Sequence, residues 1–329
     1  MKFVVQTLLV LLIVSTPCRI FAGDALSLKV AILAPEGTSW ANSMKKMTRE
    51  VKEKTAGRVE LKIYYGWTQG DEVDVLRKIR VGQLHGGVFT GRALGEINGD
   101  VRLMEVPFTF KHDLDRGWSV FEKMATYFNA GFEKSGFKNL GFFELGPVYL
   151  VLNKKVSTVS DLNGVKIWSW EGDPVVAALI DAMKLVSVPL PLPDVLSSLS
   201  TGVVEAAYSP PLGIVALQWN TKIKYILDYP MTYSVGAFLV DKKQWEKLKA
   251  ADAKVIMELC AANLKDVNVA NRKENDDSLK IMKDLGVLLV SFSEKEYKDM
   301  TKYREQVIAK LKGKLFSEDA YNKFQAALK

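Results

Sequence analysis

The chain has few of the residues that most metal and nucleophilic sites require. Its 329 residues include only two cysteines and two histidines. Paired Cys or His ligands at zinc-binding spacing are absent, as are the HExxH helix, the serine between glycines and the phosphate-cradling GxxxxGK loop. Asp71, Glu72 and Asp74 could line a cleft as paired carboxylates, but acids at a helix start are also favoured by the helix dipole. We therefore expect no enzyme, cofactor or metal site.

Long apolar runs are absent after the N-terminus. Lys2 is followed by an apolar run over 3–14 that is interrupted only by Gln6 and Thr7. This run is too short to cross a bilayer, and a basic start with a short apolar core is typical of a secretory signal peptide. We predict a signal peptide over 1–22 and a periplasmic location.

The signal peptide leaves two details open. Cleavage is expected after Ala22, and Ala25 offers a second possible site. Cys18 raises the alternative of a lipoprotein, but Pro17 lies where a small flexible residue is needed. The mature chain then keeps a single cysteine, Cys260, which cannot form an internal disulfide.

The charge of the chain is scattered rather than clustered. Cleavage removes two cations and no acid, so the formal charge falls from +7 to +5. Lys and Arg stand beside Asp or Glu along most of the chain, which is typical of a solvated surface. We therefore expect no nucleic-acid partner.

The order of apolar segments predicts an α/β fold with two lobes. Roughly 305 residues are too many for one compact core. Strands at "LKVAILA", "RVELKIYY" and "LHGGVFTG" alternate with amphipathic helices, which indicates a sheet covered on both faces. Further along, "KNLGFFEL" and "YLVLNKK" each predict a strand. Residues 225–240 form one long extended run that is expected to connect the lobes. Residues 243–285 are the longest helical stretch. A cleft between the lobes is expected.

Aromatic residues are frequent in the predicted loops and strand ends. Trp168 and Trp170 follow each other at strand spacing, so they are expected to point the same way. Ligands of open α/β sheets sit outside the carboxyl ends of the strands. The aromatic residues that we expect at the cleft on this basis are Trp40, Trp67, Tyr149, Trp168, Trp170 and Tyr208.

The segments, taken in order, resemble the solute-binding proteins of TRAP transporters (the DctP type). The matching stretches are "APEGTSWANSMKKMTREVKEKTAGRVELKIYYG", "QGDEVDVLRKIRVGQLHGGVF", "VPFTF", "VSTVSDLNGVKI", "LSSLSTGVVEAAYSPP" and "DKKQWEKL". The resemblance covers essentially the whole mature length. The most specific feature is "DLNGVKI" followed about 35 residues later by "LSTGVVEA", a spacing read from the sequence.

The resemblance implies a type II-like periplasmic-binding-protein fold with interlobe strands and a long helix that braces both lobes. We predict lobe I over 24–147 plus 231–260, and lobe II over 148–230 plus 261–329. Such a receptor passes its ligand to the membrane permease subunits of a TRAP transporter. Some relatives work with a periplasmic helical-repeat protein, which is a further expected partner.

The chain departs from the family at the positions that grip a carboxylate. Members typically carry an arginine just after "GVKI", where this chain has Trp168, and some carry a second one where it has Val148. An indole cannot form the charge-assisted, bidentate bonds of a guanidinium. A carboxylate buried without a counter-charge loses more in desolvation than neutral hydrogen bonds restore. We therefore predict a neutral or hydrophobic ligand.

Three polar residues complete the predicted site. Gln69 and Ser209 are carried over by position from the family, and Glu144 is inferred from its place near the crossover between lobes. The main alternative is an organic-acid receptor that uses another cation, with Lys154 or Lys166 as candidates. A periplasmic ligand sensor is the alternative from a different class.

Overall fold

The computed structural model describes residues 25–329. The predicted signal peptide (1–22) and Cys18 lie outside this range. Within it the strands are β1 (Leu26–Ile32), β2 (Val59–Tyr65), β3 (Gly86–Phe89), β4 (Phe137–Leu152), β5 (Lys166–Ser169), β6 (Val186–Pro189), β7 (Ala206–Ser209), β8 (Tyr225–Leu227), β9 (Thr232–Asp241) and β10 (Leu288–Val290).

The helices cover both faces of the strands. They are α1 (Ser39–Lys54), α2 (Glu72–Arg80), α3 (Gly91–Ile97), α4 (Leu114–Lys134), α5 (Pro174–Ala182), α6 (Val195–Thr201), α7 (Pro211–Ala216), α8 (Lys242–Trp245), α9 (Ala250–Asp284), α10 (Glu294–Leu311) and α11 (Glu318–Ala327). A 3-10 turn, Gly99–Glu105, follows α3. None of the helices in residues 25–329 is long and apolar enough to cross a membrane.

The strands form two lobes that share β4. Lobe I has the order β2-β1-β3-β9-β4, with β1 parallel to β2 and β3 and with β9 antiparallel to both of its neighbours. In lobe II the end of β4 pairs with β7 and β8, while β5 and β6 extend the sheet beyond β7. Strand β4 changes partner from β9 to β7 between Val148 and Tyr149. The predicted two-lobe α/β architecture is confirmed.

Helix α9 spans the junction. It packs on β4, on α1 of lobe I and on α7 of lobe II. Helix α10 packs on α5 of lobe II. Helix α11, which the predicted division includes with lobe II, packs on α4 and on the Gly99–Glu105 turn. The exact division of the chain between the lobes stays a prediction.

One sequence-based expectation about the elements was wrong, and two others agree with the structure. The two strands expected around "KNLGFFEL" and "YLVLNKK" are one strand, β4, whose bulges between Asn139 and Gly141 and between Glu144 and Gly146 keep it paired. The run 225–240, which we expected to connect the lobes, contains β8 of lobe II and most of β9 of lobe I. Between them the backbone N–H of Asp228 donates to the carbonyl of Val290 in β10. The stretch 243–285 is nearly all helical, as expected: it contains most of α8 and all of α9, the longest helix among the described residues.

Candidate functional site

A cavity of about 590 Å³ lies between the two lobes. Its wall is mainly apolar and combines aliphatic with aromatic side chains. Five tryptophans and one tyrosine contribute to it: Trp40, Trp67, Trp168, Trp170, Tyr208 and Trp219. Concave, largely apolar sites of this size are typical of small-molecule binding. The cavity is therefore the candidate ligand site.

Trp168 lies on the lobe II side of the cavity, although it is only 1% exposed and packs within the core of lobe II. Its ring stacks on Tyr208 with 4.7 Å between ring centroids and meets the edge of Trp219 at 5.4 Å. The neighbouring strands β5 and β7 run parallel, so their carboxyl ends bring the two stacked rings together. The Nε1 of Trp168 donates to the carbonyl of Leu190 at 2.9 Å. Its only hydrogen-bond donor is thus already used, and what Trp168 offers the cavity is an apolar ring.

Six of the predicted site residues line the cavity. They are Trp40, Trp67, Trp168, Trp170, Tyr208 and Ser209. Val148, the second position at which family members can carry an arginine, lines it as well. Contact of these side chains with a ligand stays a prediction.

The structure does not bring Gln69, Glu144 or Tyr149 to the cavity. The side-chain oxygen of Gln69 accepts from Lys78 instead, at 3.2 Å. Glu144 is buried on the other side of β4, where Arg272 Nε lies 2.6 Å from Oε2 and the hydroxyl of Tyr233 donates to Oε1 at 2.5 Å. Tyr149 packs among the apolar residues of lobe II, where burial raises its pKa to about 12.

The two lysines of the organic-acid alternative also lie away from the cavity. Lys154 forms an ion pair with Glu205 at 3.5 Å on the outer side of lobe II. Lys166 is exposed at the start of β5. Neither is among the cavity residues, so neither supplies the expected cation.

Sequence reasoning missed a buried arginine on the cavity wall. Arg102, in the Gly99–Glu105 turn, is only 2% exposed. Its Nη2 donates to both carboxylate oxygens of Asp173 at 2.9 Å, and its Nε lies 2.9 Å from Oε2 of Glu105. Its Nη1 has no hydrogen-bond partner among the described residues. The available signal was a charged pair, Arg102 and Glu105, inside the apolar stretch "VRLMEVPF".

Glu72 is a second buried charge on the wall. It is the first residue of α2, and both of its oxygens accept from the backbone N–H of Thr90 at 3.0 Å. Burial raises its pKa to about 8, while the hydrogen bonds from Thr90 act in the opposite direction. The acids that we expected at the start of α2 are there, and Asp71 and Asp74 form a capping box. In residues 25–329 no group of three acidic, Cys or His side chains is placed to hold a metal ion.

One loop of lobe II makes three contacts with lobe I. This loop, 170–173, follows β5. Trp170 Nε1 donates to Asp71 at 2.6 Å, Arg92 Nε donates to the carbonyl of Glu171 at 3.1 Å, and Arg102 pairs with Asp173. The lobes are therefore joined across the cleft by the protein's own polar groups.

Comparison with known proteins identifies the family. Residues 30–314 match the model of the bacterial extracellular solute-binding proteins, family 7. The chain belongs to this family. The resemblance inferred from the sequence is confirmed, and the members of the family bind solutes.

Individual family 7 relatives are distant in sequence and close in fold. A solute-binding protein of Verminephrobacter eiseniae (strain EF01-2) is 22% identical over 251 residues, 76% of this chain and 74% of its own. The TRAP periplasmic solute binding protein of Desulfovibrio salexigens, with bound orotic acid, is 19% identical at a TM-score of 0.82, covering 92% of this chain and 98% of that one. The receptor DctP7 of Bordetella pertussis, which binds pyroglutamic acid, is 18% identical at a TM-score of 0.84, over 92% and 99%.

Proposed function

We propose that this family 7 protein is the periplasmic receptor of a TRAP-type transporter for a neutral or largely apolar small molecule. It binds the ligand between its lobes without reaction and delivers it to the permease. The observation that carries the proposal is the cavity wall at Trp168 and Val148, the two positions where relatives can carry an arginine. A stacked indole and a valine provide apolar contact area at these positions and no positive charge.

The cost of burying charge supports the neutral ligand. Trp168 already donates its N–H to Leu190, so it has no hydrogen bond left for a ligand carboxylate. Arg92, a cation on the wall, is engaged by Glu96 at 2.6 Å. A carboxylate at the aromatic wall would give up its hydration without a free counter-charge. An apolar ligand would instead remove ring surface from water, a gain of about 25 cal/mol per Å².

An organic-acid ligand is the second candidate. Two relatives of the same fold hold orotic acid and pyroglutamic acid, and both compounds are carboxylic acids. In this chain the free Nη1 of Arg102 is the donor available to an acid.

A periplasmic sensor would require the same closure around a ligand and a signalling partner. The neighbouring genes separate the two functions: a permease gene next to the gene of this protein would support transport, and a kinase gene there would support sensing.

The ligand itself provides the direct test. Native mass spectrometry of protein purified from the periplasm without refolding, followed by solvent extraction, should reveal a co-purified neutral or lipid-like species. A tightly held dicarboxylate would contradict the proposal. Detection of a helical-repeat protein in the same preparation would support the further partner that we propose for an apolar cargo.

A substitution at Trp168 tests the wall independently. Trp168→Arg should weaken binding of the extracted ligand by at least about tenfold, because it replaces a stacked ring with a charge. Trp168→Phe is the matched control, since it keeps an apolar ring against Tyr208. Unchanged binding in Trp168→Arg would show that Trp168 serves only the core of lobe II.

A further inference from the structure

Three buried side chains on the cavity wall carry donor atoms that have no hydrogen-bond partner among residues 25–329. They are Arg102, through Nε and Nη1, Trp67, through Nε1, and Thr232, through its hydroxyl. Buried donors are normally satisfied, and leaving one unpaired costs much of its hydration energy. All three can donate a hydrogen bond, so the polar part of the ligand should contain an acceptor.

The strongest of these donors belongs to an arginine whose charge is already compensated. Arg102 faces two carboxylates, Glu105 on Nε and Asp173 on Nη2. The cluster of three side chains thus carries one negative charge in excess when both acids are ionised. Glu105 lies beside Nε and Asp173 is bound to Nη2, so among the described residues Nη1 is the guanidinium nitrogen with no carboxylate next to it. A ligand carboxylate therefore cannot form the bidentate pair that makes arginine a strong carboxylate site.

Both carboxylates are fixed by other contacts. Asp173 caps α5 by accepting from the backbone N–H groups of Val175 at 2.9 Å and Val176 at 3.2 Å. Its departure from Arg102 would therefore also uncap the helix.

Glu105 is held from two sides. Its Oε1 accepts from the hydroxyl of Ser234 at 2.6 Å. Its Oε2 lies so close to Gly91 that a Cβ built there would be 2.1 Å away. The carboxylate is thus packed against the backbone of α3 and cannot move further in that direction. The charge of Arg102 is therefore expected to stay compensated when a ligand enters.

We propose that Arg102, Glu105 and Asp173 form a head-group site that selects an uncharged hydrogen-bond acceptor, such as the carbonyl of an amide, ester or ketone, and rejects carboxylates. The inference rests on the proposed function, because the apolar wall receives the rest of the ligand. An amide carbonyl accepts from Nη1 and adds no charge to the cluster. A carboxylate in the same place adds a second excess negative charge within a buried site, where like charges repel strongly.

A matched pair of probes tests the selectivity. Octanamide and octanoate have the same apolar chain and differ in the charge of the head group. Their affinities are measured by displacement of the neutral fluorophore N-phenyl-1-naphthylamine at about pH 7.5, where the acid is ionised. We expect octanamide to bind at least about tenfold more tightly than octanoate.

Asp173→Asn is the decisive variant. Asparagine is as good a helix cap as aspartate, so α5 should still form while one negative charge is removed. The preference for the amide should fall by about fivefold or more, mainly through tighter octanoate binding. Glu105→Gln, which preserves the shape of the side chain, should act in the same direction. Unfolding midpoints establish that each variant is folded.

Asp181→Asn is the matched control. Asp181 lies on the same helix, is exposed, and pairs with Lys310 outside the cavity. Its neutralisation changes the net charge equally and should leave the preference unchanged. The inference is overturned if wild-type protein prefers octanoate, or if Asp173→Asn and Glu105→Gln both leave the preference as it was. Failure of both probes to displace the fluorophore would contradict the apolar ligand itself, and the inference with it.

Discussion

Glu72 is the residue at which the cavity should respond to pH. Its carboxyl is buried on the wall, and burial raises its pKa from 4.5 to about 8. The charges of Asp71 and Glu105 act in the same direction. At neutral pH the folded protein therefore keeps this carboxyl largely protonated, with the hydroxyl of Thr90 at 2.8 Å from Oε1.

The raised pKa predicts that stability falls with increasing pH. The folded state holds the Glu72 proton more tightly than the unfolded chain does. The resulting stabilisation is complete below about pH 4.5 and is lost as the pH rises to about 8. Each pKa unit corresponds to about 1.4 kcal/mol, so the decline can reach roughly 5 kcal/mol. Urea unfolding between these pH values should show it.

Glu72→Gln isolates this contribution. Glutamine can accept the same hydrogen bond from Thr90 but does not titrate. The free energy of unfolding of the variant should decline less than that of wild type over the same pH range. Glu60→Gln, at an exposed position on β2, is the control and should follow wild type. Parallel pH curves for Glu72→Gln and wild type would show that Glu72 ionises normally.

The sequence predicted the aromatic part of the site better than the charged part. Trp67, Trp168 and Tyr208 follow strands or lie in loops, and strand ends identify a cleft without knowledge of tertiary contacts. Arg102 and Asp173 are 71 residues apart and meet only when the two lobes come together. No local pattern could predict that pair.

Glu144 shows that a position near the crossover does not determine the direction of a side chain. Its place near the crossover was predicted correctly, but the direction of its side chain was not. Phe143 and Leu145 line the cavity, so the ordinary alternation of a strand turns Glu144 between them to the other side. The bulge between Glu144 and Gly146 then interrupts this alternation, and Val148 lines the cavity although it is three residues from Leu145. Glu144 itself pairs with Arg272 behind the strand. Strand periodicity alone does not reveal such a bulge.

At the scale of elements, α9 holds β4 at this bulge through three asparagines. Asn268 accepts from the backbone N–H of Glu144 at 2.8 Å, and Asn271 donates to the Glu144 carbonyl at 2.6 Å. Asn275 donates to the carbonyl of Leu145 at 2.9 Å. The three positions recur at helical spacing, so they share one face of α9. The helix thus satisfies the backbone groups that the bulge leaves unpaired.

Two of these asparagines also form hydrogen bonds with residues of the two lobes. Asn271 accepts from Nε1 of Trp40, on the lobe I wall of the cavity, at 2.7 Å. Asn275 accepts from the backbone N–H of Leu212, in α7 of lobe II, at 2.9 Å. One helix face therefore connects the crossover strand with both sides of the cleft.

Asn275→Ala should weaken this connection. It leaves the carbonyl of Leu145 and the N–H of Leu212 without their partner, which should lower the free energy of unfolding by about 1–3 kcal/mol per buried group. Ligand affinity should also fall, because the closed arrangement of the lobes loses a link. Chemical unfolding and ligand titration measure the two effects.

Asn263→Ala is the control on the same helix. Asn263 donates to Ser43 of α1, so its contact stays within lobe I. We expect a loss of stability without a loss of ligand affinity. Equal losses of affinity in both variants would show that α9 acts only through general stability.

The elements themselves were largely predictable, and the error at β4 has a tertiary cause. The α/β alternation and the cap of α5 by Asp173 follow from local patterns, and both are observed. Strand β4 was predicted as two strands because Gly141 and Gly146 interrupt its apolar pattern. Both glycines adopt positive φ in bulges that keep the strand paired with β9. Tertiary pairing therefore overrides the local break signal.

At the scale of the whole molecule, the loop 170–173 determines how the lobes meet. Its three contacts reach α2, α3 and the Gly99–Glu105 turn, which are separate elements of lobe I. Each contact is made by a charged group of the protein and stabilises the arrangement in which the lobes meet. The closed state should therefore be substantially populated before a ligand binds. A ligand then has less conformational free energy to supply.

Trp170→Phe tests whether these contacts hold the lobes together. The substitution keeps an aromatic ring on the cavity wall and removes the N–H that donates to Asp71 at 2.6 Å, together with part of the indole's apolar area. A hydrogen bond to a charged group contributes about 1.5–3 kcal/mol, and partial exposure reduces this to about 1 kcal/mol. The equilibrium between the closed and open states should then shift by about fivefold toward the open state, and the closed population and the ligand affinity should fall by up to that factor, because apparent affinity scales with the competent fraction.

Small-angle X-ray scattering of the ligand-free protein provides the structural readout for this variant. The radius of gyration of Trp170→Phe should exceed that of wild type and return to the wild-type value when ligand is saturating. Trp245→Phe is the matched control, because Trp245 lies on α8 and packs only against the core of lobe I. It should leave scattering and affinity unchanged. If Trp170→Phe scatters and binds like wild type, the closed state is maintained by other contacts, and Arg102 with Asp173 is the cross-lobe pair to substitute next.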